Sequence, residues 1–344
     1  MEKKDIRNFD EKELAGVVIA EGEKSYRARQ IYQWIWEKSV LDFDDMTNLS
    51  KPLRDTLKQK YEFRPIQIDF EQQSSDNTVK LAFRLFDDNI IEGVLIPSED
   101  RMTACISSQV GCSLACKFCA TGYLERRRNL TPGEIYDQVV HLRNIALKYF
   151  NMSLTNIVFM GMGEPLLNYK HVMTAINHIT TPEGLGLSTR RITLSTAGIS
   201  KMIKKLGDDD VKFKLALSLH AANDVKRNQI MPINESNSLK SLLDALNYYY
   251  NKTKSQITLE YIVFKDFNDT LDDAKDLYAF VKKIPAKVNI IEYNPIDQAS
   301  FRNTTQDRLE MIRKYLEDHR VNVRLRRSRG KDIDAACGQL ANKR

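Results

Sequence analysis

Long apolar stretches are missing from this sequence. No run approaches the roughly 18 residues that mark a membrane-crossing helix, so no membrane partner is expected. The opening Met1-Glu2-Lys3-Lys4-Asp5 is charged, with no apolar segment behind it, so a secretory leader is not expected. Low-complexity tracts and internal repeats are absent too, which argues against a repeat-built architecture. Cysteine is scarce: five in 344 residues. An odd number excludes a fully paired disulfide framework. Free thiols suit a reducing compartment, so a cytoplasmic protein is expected.

What remains is an ordinary globular composition, 42% apolar and 28% charged. The length suits a large domain plus a smaller one, at roughly 150 residues per domain. The net charge is +6, and the cations cluster: Arg126-Arg127-Arg128, the pair Arg190 and Arg191, then Arg324, Arg326, Arg327, Arg329 and Lys331. Clusters of this kind suit a phosphate backbone, and equally a solvated face.

Residues 1–95 read as a small, mainly helical accessory region with a hairpin. In Ser25 to Trp36, Ile31, Trp34 and Ile35 share one helical face. Both tryptophans lie here, and core packing is the expected role, with base stacking as the alternative. Asn48-Leu49-Ser50-Lys51-Pro52 signals a helix start, and Val79 to Phe86 with Ile90 to Ile96 a hairpin. From 96 to 320 strands and helices alternate. Strands are expected at Thr103–Ser107, Asn156–Met160, Arg191–Ser195, Lys214–Leu219, Thr258–Phe264 and Lys287–Tyr293. Helices are expected at Thr131–Phe150, Leu239–Tyr250, Leu271–Lys283 and Gln306–His319. The pattern predicts an α/β fold, a partial (β/α)6 TIM-like barrel. Residues 321–344 read as a basic tail.

The chemistry concentrates in Gly111-Cys112-Ser113-Leu114-Ala115-Cys116-Lys117-Phe118-Cys119, a C-x3-C-x2-C spacing with no fourth cysteine nearby. Structural zinc takes four ligands, commonly in two pairs, and no second pair follows. Three thiolates can instead hold three irons of a [4Fe-4S] cluster and leave one iron open. Polar residues also follow the expected strands. Gly161-Met162-Gly163-Glu164-Pro165 combines glycines, which let backbone approach a ligand, with a carboxylate. Ser195, then Ser218-Leu219-His220, then Asn294 stand at later strand ends, where barrel enzymes carry their sites. Taken singly, each is as readily a satisfied polar residue. His220 reads as a ligand contact ahead of a general base.

The cysteine spacing resembles the radical S-adenosylmethionine (SAM) superfamily. That resemblance implies a [4Fe-4S] cluster on Cys112, Cys116 and Cys119. Its open iron chelates SAM, which is cleaved to a 5′-deoxyadenosyl radical. Gly163 and Glu164 are implied to bind the methionine amino group, with Ser195, Ser218, Leu219, His220 and Asn294 as further SAM contacts. The tail Arg329-Gly330-Lys331-Asp332-Ile333-Asp334-Ala335-Ala336-Cys337-Gly338-Gln339-Leu340 resembles the RlmN/Cfr family, radical SAM methyltransferases of ribosomal RNA. Similarity extends to the Tyr26–Trp36 region, Ser107-Ser108-Gln109-Val110-Gly111-Cys112 and Met231-Pro232-Ile233-Asn234.

The resemblance implies two SAM per turnover. The Cys337 thiolate takes a methyl group, giving S-methylcysteine; the radical activates that methyl, which adds to C2 of an adenine in 23S rRNA. Cys105 resolves the adduct and leaves a Cys105–Cys337 disulfide. Glu92 is implied as proton acceptor, with Cys105 as the other candidate for removing the C2 proton. An adenine of a tRNA anticodon loop is a second implied substrate, and an electron donor such as flavodoxin an implied partner. Gly163-Glu164-Pro165-Leu166-Leu167-Asn168, Ser195-Thr196-Ala197-Gly198 and Arg329-Gly330-Lys331-Asp332 resemble the C2 branch more than the Cfr-like C8 branch. Two further readings are a non-catalytic RNA-binding protein with structural metal and a glycyl-radical activase. The activase leaves Cys105, Cys337 and the basic tail without a role.

Overall fold

The computed structural model describes residues 3–342. Ten strands form one sheet. In chain order they are β1 (Gln67–Gln73), β2 (Val79–Arg84), β3 (Ile90–Ser98), β4 (Arg101–Cys105), β5 (Asn156–Phe159), β6 (Ile192–Thr196), β7 (Lys214–Ser218), β8 (Ile257–Ile262), β9 (Ala286–Ile291) and β10 (Val323–Arg326). Their order in the sheet is their order in the sequence. β1 to β4 pair antiparallel and β4 to β10 pair in parallel.

Each parallel step crosses over through a helix: Pro132–Phe150, Tyr169–Thr180, Ser200–Asp208, Leu239–Thr253, Leu271–Val281 and Gln306–Asp318. This is the expected six-unit partial barrel with one further parallel strand. The first crossover helix shows why the sequence folds so. Thr131 accepts from the Glu134 N–H while the Glu134 carboxylate accepts from the Thr131 N–H, a closed capping box. Ile135, Val139, Leu142 and Ala146 then bury one face at three- and four-residue spacing.

Two sheet strands were not expected. β1 adds a third antiparallel strand to the hairpin, and β10 lies within residues 321–344, the segment read as a basic tail. Strand pairing runs without a break past residues 96 and 320.

The accessory helices are Glu11–Ala20, Tyr26–Trp36 and Lys51–Lys60, the last capped by Ser50. Arg7, 4% exposed, anchors this region to the barrel: it donates to Asp5, to Asp137 of the first crossover helix at 2.7 Å, and to the Arg64 carbonyl. Trp36 is buried and stacks flat on His178, ring centroids 3.7 Å apart. Trp34 is partly exposed and donates to Asn48 Oδ1.

The same stack makes His178 sensitive to acid. Burial depresses its pKa from 6.5 to about 4, so its neutral form stabilises the fold above pH 6.5 and that contribution is lost between pH 6.5 and about 4. Urea unfolding at pH 7 and pH 4.5 should show a drop on the order of 2 kcal/mol attributable to this residue. In His178→Phe the drop should be smaller by that amount; an unchanged drop would assign the acid sensitivity elsewhere.

Candidate active site

Between β4 and the first crossover helix the chain makes a loop that carries Cys112, Cys116 and Cys119. Gly111 starts it at φ +72°, where a Cβ would lie 2.0 Å from the Glu125 carbonyl oxygen. The Cys119 N–H donates to the Cys116 carbonyl and the Gly122 N–H to the Cys119 carbonyl, winding the loop on itself. The Lys117 N–H donates to the Ile230 carbonyl at 3.0 Å, fixing the loop to the barrel rim.

All three thiols line one cavity at the C-terminal ends of the parallel strands. Burial pushes the Cys112 thiol up to about 11, and Cys116 and Cys119 also upward; the negative charge of neighbouring cysteines adds to the effect, from within the loop at Cys112 and Cys116 and from Cys337 at Cys119. Three thiolates here need a compensating cation, and soft sulfur donors select iron–sulfur or similar metals. Three thiols facing one cavity can supply three of the protein donors of an iron–sulfur cluster and leave one position open.

Gly163 follows β5 at φ +93°, pressed so closely on Gln109 that a Cβ would lie 2.5 Å from the Gln109 Cβ. The turn aims Glu164, 3% exposed, at the cavity. Its carboxylate accepts the Leu166 N–H at 3.0 Å and the Ala197 N–H at 2.8 Å. Burial nevertheless raises its pKa to about 7. Ser195 and Ser218 line the same wall, their hydroxyls 3.4 Å apart. His220 lines it as well; Nδ1 accepts the Ile262 N–H, and burial, with Arg227 nearby, lowers its pKa to about 3. It is a neutral imidazole, suited to contact a ligand.

Leu219 is fully buried and is not part of the cavity lining; its backbone pairs with Glu260 and Arg227. Asn294 holds the tail: its Nδ2 donates to the Cys337 carbonyl at 3.0 Å, and its Oδ1 is buried with no hydrogen-bond partner. The tail is docked further by Ala120 N–H to the Gly338 carbonyl and Thr121 Oγ1 to the Leu340 carbonyl, both 2.7 Å. Cys337 is thereby set in the cavity of the three loop cysteines. It also lines a second cavity below, which contains Cys105. All five cysteines are free thiols, so the disulfide implied by the resemblance is not part of this fold.

Glu92 is not brought to either cavity. It is 1% exposed, ion-paired with Lys80 at 3.4 Å, and accepts the Asn342 N–H at 3.0 Å.

Three residues were not legible as site residues. Arg326, read with the tail cations, lines both cavities, and the negative charge of Cys337, Glu260 and Cys105 raises its pKa. Glu260, midway along apolar β8, also lines both; a lone carboxylate in an apolar strand was the available signal. Arg227, fully buried, donates to the carbonyls of Leu219, Ala197 and Ser218 and to Asn234 Oδ1. It thus clamps the ends of β6 and β7 to Met231-Pro232-Ile233-Asn234. The other arginine clusters are partly committed as well: Arg128 pairs with Asp87 and Glu134, and Arg127 donates to Asn89.

Comparison with known proteins agrees with this arrangement. Residues 4–63 match the ribosomal RNA large subunit methyltransferase N-terminal domain, and residues 106–281 match the radical SAM superfamily. The chain is 58% identical over 343 residues to the probable dual-specificity RNA methyltransferase RlmN of Cytophaga hutchinsonii, covering all of this chain and 94% of that protein. It belongs to the RlmN family. The RlmN of Geotalea uraniireducens is 44% identical, with 99% of this chain and 97% of that protein covered. The crystal structure of a radical SAM methyltransferase from Sphaerobacter thermophilus superposes with TM-score 0.92 at 37% identity, over 99% of this chain and all of the other. RlmN membership makes this chain a radical SAM methyltransferase and accounts for the fold and the cysteine loop together.

The Arg227 clamp is testable. Arg227→Leu leaves buried carbonyls unpaired, at a cost of about 1–3 kcal/mol each, so urea stability should fall by at least 2 kcal/mol. SAM binding by calorimetry should weaken in parallel. Unchanged stability would show that the strand ends hold without the clamp.

Proposed function

We propose that this RlmN-family chain methylates C2 of an adenine in 23S rRNA, and of an adenine in a tRNA anticodon loop, with Cys337 as methyl carrier and Cys105 as resolving thiol. One observation carries the reading: Cys337 is held where the cavity of the three-cysteine loop meets the cavity containing Cys105. Cys112, Cys116 and Cys119 would hold the [4Fe-4S] cluster, and Gly163, Glu164, Ser195, Ser218 and His220 would surround SAM. When bound, the pair supplies the radical that activates a methyl group.

The chain's own residues do the rest. C2 of adenine is electron-poor, so a methyl group cannot reach it by simple polar transfer; a thiolate can accept one first. The Arg326 guanidinium lines both cavities beside Cys337 and Cys105. Burial pushes the Cys105 thiol up to about 12, with Cys337 adding to the rise and Arg326 opposing it, so Cys105 keeps its proton at rest. Late in turnover it must lose that proton and attack the Cys337 sulfur; the S–S bond forms, the bond from that sulfur to the base-bound carbon breaks, and that carbon keeps the electron pair and takes a proton as the methylated base leaves. Phe118, Ile262 and Ile291 give the upper cavity an apolar wall that excludes water from the radical step. The target base must leave its stack to enter, at about a few kcal/mol. Glu92 and Cys105 are the two candidates for taking the C2 proton, and Glu92 would first have to leave its contacts to Asn342 and Lys80. Flavodoxin or a similar small protein supplies electrons, and the enzyme works in the cytoplasm.

Two variants separate the thiol roles. Cys337→Ala should carry no methyl group in intact-mass spectra after incubation with SAM, and normal RNA methylation by it would remove Cys337 from the mechanism. Cys105→Ala should accumulate a protein–RNA adduct on denaturing gels, and turnover without adduct would refute the resolving role. Nucleoside digests should contain 2-methyladenosine; 8-methyladenosine alone would place the chain in the C8 branch.

A further inference from the structure

The interior of this barrel is not packed in the usual way. Barrel lumens are normally filled by branched aliphatic side chains. Here alternate residues of the parallel strands leave a cavity of about 430 Å³ below the catalytic end. Each strand contributes a cation at the outer end of its lining: Arg101, then Thr103 and Cys105, on β4; Lys287, then Asn289 and Ile291, on β9; Arg324, then Arg326, on β10. Cys105 and Cys337 stand at its inner end.

Its outer part carries an excess of positive charge. Lys214, Lys287 and Arg324 all line it, from β7, β9 and β10. Lys214 and Arg324 are exposed at the mouth and Lys287 is half-buried. Among the described residues none of the three has an ion pair or hydrogen bond, and Glu260 is the one carboxylate in the lining. Lys287 is crowded enough by burial, Arg324 and Lys214 that its ammonium pKa is lowered. Like charges gathered around a cavity attract an anion and raise its local concentration.

We propose that this lower lumen admits a small anionic thiol, which reduces the Cys105–Cys337 disulfide left by each turnover. The proposal rests on the thiol roles given under Proposed function. Access decides the class of reductant. Cys105 is 7% exposed and lines the lower cavity but not the upper one, so attack at its sulfur is open to a small molecule in the lower lumen and closed to the active site of a protein reductase. The lumen's field then selects a thiol carrying carboxylates or phosphate. Its thiolate attacks the Cys105 sulfur, breaks the S–S bond and forms a mixed disulfide on Cys105, and the released Cys337 thiolate takes a proton. A second molecule attacks the mixed disulfide and leaves as the symmetrical disulfide, so two thiols supply the two electrons.

The test uses the full-length protein oxidised with diamide to the Cys105–Cys337 disulfide. Reduction rates by mercaptosuccinate and by neutral 2-mercaptoethanol, corrected for thiolate fraction, are read by acid quench, alkylation and mass spectrometry. At low salt the anionic thiol should be favoured about tenfold, and salt should erase the preference. The triple variant Lys214→Gln, Lys287→Gln, Arg324→Gln should lose it. Equal rates in the wild type, or a preference retained in the variant, would overturn the proposal. A second measurement needs no disulfide: in the reduced protein, the ratio of Cys105 alkylation by iodoacetate to that by iodoacetamide should fall at least fivefold in the triple variant. An unchanged ratio refutes the anionic route. If that ratio falls while turnover leaves no Cys105–Cys337 disulfide, the route admits anions but the resolving role fails, and with it the reductant proposal.

Discussion

The seating of the C-terminal segment on the cysteine loop is the constraint from which the rest of the site follows. Backbone groups of Gly338, Leu340 and Cys337 are each held by a partner on another element: Ala120, Thr121 and Asn294. Asn342 is received by the buried Glu92. A residue near the end of the chain is thereby fixed as firmly as one inside a strand. Without these bonds Cys337 would be an exposed thiol on a tail, with no defined relation to Cys105 or to the loop. Glu92 gains a structural meaning through them, since in this arrangement its carboxylate serves the tail.

The barrel below supplies two environments for one side chain. Above Cys337 the walls are apolar and hold a neutral imidazole and a carboxylate satisfied by backbone N–H groups. Beneath it the lining is polar and positively charged. Arg326 and Glu260 belong to both, so the boundary is itself charged. A thiol placed there meets apolar walls and the three-cysteine loop on one side and polar, cation-rich surroundings on the other.

Much of this was legible in the sequence. Metal-binding thiols must be closely spaced to share a cluster, so Cys112, Cys116 and Cys119 declare themselves. The capping box at Thr131 and the alternation of strands and helices gave the barrel, and Gly163-Glu164 its next rim element. The losses have physical reasons. Val323-Arg324-Leu325-Arg326 was read as a basic tail because charge normally marks a solvated surface; here Arg324 and Arg326 both face a polar lumen, and the segment is a strand. Arg227 escaped notice because its four hydrogen bonds are made to groups dispersed along the chain, which no local pattern reveals. Leu219 was grouped with its polar neighbours, yet it faces the core.

β10 closes the parallel series with one neighbour only, joined to β9 through four registered pairs. Every other parallel strand is locked on both flanks. Opening the sheet is least expensive where it breaks the fewest ladder bonds. That seam is β10. Peeling it would carry Arg326 away while the Cys337 segment stays held by Ala120, Thr121 and Asn294, so the cation can leave a sulfur that keeps its place.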